Sequence, residues 1–123
     1  MAEGIITERL FRKNAKAIGL DVQEGKPIRS PEPVANKLGD NLKKVTVPDF
    51  YLVDRNTGLE MHVEITSGKG GGSHKQAQRR VVAAAGVENY VQIAGEDVLK
   101  IDAEPIVGRK KSILFALLGW KLE

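Results

Sequence analysis

Two apolar runs of strand length sit near the middle of the chain. The first covers residues 50–54 and the second residues 59–66, with Arg55-Asn56-Thr57-Gly58 between them as a turn signal, so the pair predicts a β-hairpin. In the second run the period of two places His62, Glu64 and Thr66 on one side and Val63 and Ile65 on the other. Upstream, Ile6, Leu10, Ala17 and Ile18 recur at roughly helical spacing, which predicts a helix over 5–18 with Gly19 as its stop. Residues 20–42 carry Pro27, Pro31 and Pro33 and predict a long loop, with a short strand and one helical turn at Val34–Leu38. A strand at 43–47 precedes the hairpin. After the hairpin come a glycine loop, Gly68 to Gly72, a helix over 73–85 ending before Gly86, and a strand at 89–94. A short helix at 97–101 and an apolar helix at 110–119 close the chain. The order is α-β-β-β-α-β, an α/β arrangement with helices on a mixed sheet.

The hairpin also carries the chemistry. Asp49 stands at the start of its first strand and Glu64 inside its second, between Val63 and Ile65. A carboxylate among apolar residues is costly to bury unless it is paired or holds a cation. Two acids brought together across a hairpin repel each other, and a divalent metal relieves that repulsion. Hard cations such as Mg²⁺ take oxygen ligands of this kind.

The bulk composition narrows the classes. A length of 123 residues predicts one domain, 1–123, large enough to bury a core without staples. With no cysteine there is no disulfide and no thiolate metal site, and two histidines exclude a histidine-rich one. No signal peptide is read at the start, and the longest apolar run, Ile113 to Leu118, is too short to span a bilayer, so a cytoplasmic setting is expected. The formal charge of +3 leans only mildly toward anionic partners. Its distribution says more: Arg9, Arg12, Lys13 and Lys16, then Lys69, Lys75, Arg79 and Arg80, then Arg109, Lys110 and Lys111. Three such groups could follow a phosphate backbone or be solvated helix faces. The glycine loop lacks the glycine–lysine–hydroxyl ending of a Walker loop, though its backbone could approach a phosphate closely.

Pro48-Asp49, then Glu64-Ile65-Thr66 on the next strand, then a glutamine-bearing helix Lys75-Gln76-Ala77-Gln78-Arg79-Arg80 resemble the PD-(D/E)XK nuclease superfamily, in the style of replication-repair nucleases and Holliday-junction resolvases. The resemblance covers about residues 5 to 94. It implies a restriction-endonuclease-like core and a metal-dependent nuclease acting on nucleic acid, with DNA expected over RNA. Asp49 and Glu64 would then bind Mg²⁺ or Mn²⁺, with Glu8 as an additional acid from the first helix. The chain departs from the pattern at Thr66, where the superfamily places a lysine. Lys69, with Lys75 close behind, is expected to replace it, with Gln76 beside the site. Lys69, Lys75 and Arg79 are expected to hold the phosphate backbone, and the C-terminal apolar helix is a candidate homodimer interface. Two other readings stay open: a binding module of the same fold that has lost catalysis, and an interaction protein whose hairpin acids are structural.

Overall fold

The computed structural model describes residues 2–35, 42–67 and 73–122. Helix α1, Ala2–Ala17, leads into strand β1, Asp21–Glu24, and strands β2, Ile28–Ala35, and β3, Leu42–Thr46, follow. The hairpin is β4, Phe50–Val53, and β5, Glu60–Thr66. Helix α2, Ser73–Ala84, strand β6, Tyr90–Ala94, and helices α3, Gly95–Ala103, and α4, Val107–Leu118, complete the chain. The class is mixed α/β, as the hydrophobic pattern predicts.

One sheet runs β1-β4-β5-β6, and β2 and β3 form a separate two-stranded ribbon. β1 and β4 pair antiparallel, as do β4 and β5, whereas β5 and β6 run parallel. A parallel pair needs a crossover, and α2 supplies it. The hairpin turn closes where Asp54 accepts from the Asn56 N–H at 3.0 Å and the Gly58 N–H donates to the Asp54 carbonyl at 2.7 Å. Gly58 takes a left-handed φ of 77° there, which glycine adopts without a Cβ clash.

Alternation along the strands sorts residues between two faces. Phe50 and Leu52 of β4, Met61, Val63 and Ile65 of β5, and Ile93 of β6 join Phe11, Ala15, Val98, Ile101, Leu114, Phe115 and Leu118 in one core. Helices α1, α3 and α4 therefore cover the apolar face. The opposite face carries Tyr51, His62, Glu64, Thr66, Tyr90 and Gln92, and α2 lies over it, bonded to Glu64, Tyr90 and Gln92. The ribbon packs against α2 in turn.

Two expectations change. The segment expected as a long loop with one short strand holds two strands, β1 and β2, and Val34 and Ala35 of the expected helical turn belong to β2; residues 36–38 of that turn lie outside the described residues. Pro31 and Pro33 are tolerated because the β2–β3 register shifts between Arg29 and Val34, where the ladder is interrupted and the missing N–H groups are not needed. The strand expected at 43–47 also does not belong to the main sheet. It is the second strand of the ribbon, and β1 takes the third place beside the hairpin.

The expected apolar helix at 110–119 starts at Val107, and its Leu114, Phe115 and Leu118 are buried in the core, with Ile113, Leu117 and Trp120 packed against it. The apolar face on which the homodimer expectation rested is thus largely occupied within the chain. Among the described residues, no helix is long and apolar enough to cross a membrane.

Candidate metal and nucleic-acid site

Asp49 precedes β4, and β4 pairs with β5 through Phe50↔Val63, so Asp49 and Glu64 meet at one end of the hairpin. The two residues interlock. The Asp49 N–H donates to Glu64 Oε1 at 3.1 Å, and the Ile65 N–H donates to Asp49 Oδ2 at 2.8 Å. Each acid is held by a backbone donor from the other side of the hairpin. Gly25 helps fix this corner: a Cβ there would overlap the carbonyl oxygen of Pro48, so the chain after β1 lies directly against the residue before Asp49. Nothing in the sequence marks Gly25 apart from the other glycines, because the contact is long-range.

Glu64 is only 3% exposed, and a carboxylate so buried needs partners. Lys75, in the first turn of α2, supplies an ion pair to Oε2. Gln78, one turn further along the same helix face and itself buried, approaches Oε1 at 3.4 Å. Behind Gln78, the Tyr90 hydroxyl donates to Gln78 Oε1, and Gln92 Nε2 donates both to Tyr90 Oη at 2.7 Å and to the Lys75 carbonyl at 3.1 Å. Burial pushes the Tyr90 phenol up to about 12, helped by the charges of Glu64 and Asp49, so it stays a donor. These contacts fasten the start of α2 to β5 and β6. Tyr90 and Gln92 stand out in no local pattern, because β6 is brought beside β5 by parallel pairing that sequence spacing does not reveal.

Asp49 is the strained member. Burial raises its carboxyl from 3.8 to about 6; the Ile65 N–H opposes the rise, and the charges of Glu64 and Glu8 add to it. Glu8 of α1 lines a cavity of about 220 Å³ with Ile5, Arg9, Arg12 and Phe50, next to Asp49 in the chain. It acts on Asp49 through its charge; among the described residues, no three acids or histidines are close enough together to share one ion. The donor set near the hairpin is therefore two carboxylates. That suits Mg²⁺, which is commonly held by one or two carboxylates with water and substrate phosphate completing its shell.

The other expected site residues fall as follows. Lys75 reaches Glu64; Lys69 lies outside the described residues, as do the other residues of the glycine loop. Gln76 is half-buried on α2, and the glutamine that touches Glu64 is Gln78. Thr66 is buried on the site's face of β5. Arg79 is exposed and borders a groove of about 410 Å³ with Val82, Ala83, Val87, Tyr90, Val91 and Gln92. The basic group at 109–111 is engaged within the chain: Arg109 pairs with Glu104 at 3.4 Å, Lys110 donates to Asn14 at 2.9 Å, and Lys111 lies over the Phe115 ring. Lys13 likewise pairs with Asp102 at 3.1 Å and Arg12 with Glu24 at 3.3 Å.

Further along the same sheet face, Tyr51 and His62 meet edge to face at 4.8 Å, with Lys26 over the Tyr51 ring at 4.0 Å. The Tyr51 hydroxyl bonds Glu60, which raises it to about 12. Burial, followed by the Lys26 charge, lowers the His62 imidazole and keeps it neutral near neutral pH. Comparison of the chain with protein-family models, with curated proteins and with solved structures found no match in any of the three.

Proposed function

We propose that this chain is a divalent-cation-dependent nuclease that hydrolyses phosphodiester bonds, with DNA its expected substrate. The observation that carries the reading is one corner of the sheet: Asp49 and Glu64, interlocked across β4 and β5, with the Lys75 ammonium bound to Glu64. The element order α1-β1-β4-β5-α2-β6, in which the ribbon is an insertion, supports the PD-(D/E)XK resemblance.

A Mg²⁺ or Mn²⁺ ion held there would polarise a phosphoryl oxygen and lower the pKa of bound water. The chain's own residues do the rest. Asp49 and Glu64 supply two hard oxygen ligands whose directions are set by the Ile65 and Asp49 N–H groups. Gln78 steadies Glu64 from the helix side. Lys75 brings a cation to the place where negative charge develops on the phosphorus oxygens, the role that Thr66 cannot fill. The backbone of Lys75 is held by Gln92, which ties the start of α2 to β6. Arg79, four residues on, extends positive charge along α2 for the neighbouring phosphate.

The test is cleavage of single-stranded, duplex and branched DNA and of RNA, with Mg²⁺ or Mn²⁺ against EDTA. Cation-dependent cleavage lost in Glu64→Gln supports the reading. Salt-sensitive binding with no cleavage of any substrate replaces it with the non-catalytic binding module.

A further inference from the structure

Glu64 uses its two oxygens differently. Oε1 takes neutral donors, the Asp49 N–H at 3.1 Å and Gln78 at 3.4 Å. Oε2 takes the Lys75 ammonium. The neutral donors belong to the backbone and to a buried side chain, and they hold the acid whatever sits on its other oxygen. The ammonium belongs to a long stem whose side chain is 20% exposed, against 4% for Glu64. One partner of Glu64 is thus built in, and the other can leave.

We propose that Lys75 and the divalent cation are alternative partners of Glu64 Oε2. In the metal-free protein the lysine neutralises a carboxylate that would otherwise be buried without a counter-charge, an arrangement that is strongly destabilising. A divalent ion between Asp49 and Glu64 brings twice the charge to the same oxygen and repels the ammonium. Lys75 then swings outward about its stem while Gln78 and the Asp49 N–H keep Glu64 in place. The displaced ammonium is left beside the ion, free to meet a phosphate oxygen of the substrate, so displacement would arm the group that the Thr66 position lacks. That last step rests on the nuclease reading; the exchange itself needs only the cation.

Exchange predicts effects of opposite sign from one substitution. In Lys75→Met an ion no longer has to break an ion pair. Titration of EDTA-stripped protein with Mn²⁺ by calorimetry should show binding at least about tenfold tighter than in the unaltered chain, the order expected when one charge-assisted hydrogen bond need not be broken. The rise in melting temperature on adding Mn²⁺ should be larger too, while turnover falls. Lys75→Arg, which keeps the ion pair and guards against a fold defect in the methionine variant, should bind Mn²⁺ close to the unaltered chain. Glu64→Gln should lose the tight binding. If Lys75→Met binds Mn²⁺ no tighter than the unaltered chain while that chain cleaves with Mn²⁺, the exchange is wrong and the nuclease reading stands. If Lys75→Met binds more tightly but the unaltered chain cleaves no substrate, the exchange stands and the nuclease reading is wrong. If none of the proteins binds Mn²⁺, both are overturned.

Discussion

The two faces of the central sheet are built from the same strands and do opposite things. On one face Phe50, Leu52, Met61, Val63, Ile65 and Ile93 pack into the apolar cluster formed with α1, α3 and α4, with the Arg12 guanidinium over the Phe50 ring at its edge. On the other, Tyr51, Glu64 and Thr66 are as deeply buried, but Glu64 needs an ion pair and two hydrogen bonds to be there. His62 Nδ1 and Gln92 Oε1 are buried on that face with no hydrogen-bond partner among the described residues. Non-directional burial stabilises in rough proportion to area, while a buried polar group at best offsets its own desolvation. The apolar face therefore carries the stability, and the polar face spends some of it on chemistry.

The largest expected effects separate the faces most cleanly. Leu52 is fully buried, and Leu52→Ala should cost about 2–5 kcal/mol of stability, the usual range for such truncations. Urea unfolding measures that loss, and activity per folded molecule should hardly change. Glu64→Gln should do the reverse. The amide keeps the size and can still accept from the Asp49 N–H, so the fold should survive by circular dichroism. Turnover should fall by about 10²–10³-fold or more, as when one key electrostatic contact to a transition state is removed. A Glu64→Gln protein that unfolds would make the acid structural and erase the contrast between the faces.

Much of this division is legible in the chain. The period of two across His62 to Thr66 separates Glu64 from Val63 and Ile65, and the turn at Arg55–Gly58 brings Asp49 back to Glu64; both signals are local. β1 was not legible, because Asp21-Val22-Gln23-Glu24 has one apolar residue and pairs at a sheet edge. β2 was hidden by prolines that the bulge accommodates. Lys43-Lys44-Val45-Thr46 reads correctly as strand, but no local pattern says which sheet it joins. Gln78, Tyr90 and Gln92 belong together only through the β5–β6 pairing and the crossover of α2, which are contacts between segments distant in sequence.

Asp49 gives a smaller effect with a defined pH window. Its carboxyl is raised from 3.8 to about 6, so between those values the folded state binds more protons than the unfolded state. Stability therefore falls as pH rises through that window, and the penalty is fully present above about 6 and absent below about 3.8. Asp49→Asn removes the charge while its side-chain oxygen can still accept from the Ile65 N–H. In EDTA the variant should melt higher than the unaltered chain at pH 7.5, and the two should converge near pH 4. A variant that melts lower at pH 7.5 would show that ionised Asp49 stabilises the corner instead of straining it.

The smallest effect sharpens the comparison by asking which side of the molecule nucleic acid touches. Arg79 is exposed on α2, over the polar face, and its charge reaches Tyr90. Arg109 is exposed on α4, over the apolar face, and is paired with Glu104 at 3.4 Å. Both are single positive charges, so net charge alone would give equal losses on removal. A phosphate contact instead reduces the slope of log affinity against log salt by about one and weakens binding alike for all sequences. Arg79→Ala should show that change and Arg109→Ala should not, in binding isotherms recorded across a salt series with two unrelated duplex sequences. Equal slopes for the two variants would mean that nucleic acid does not distinguish the faces, and α2 would lose its place as the binding element.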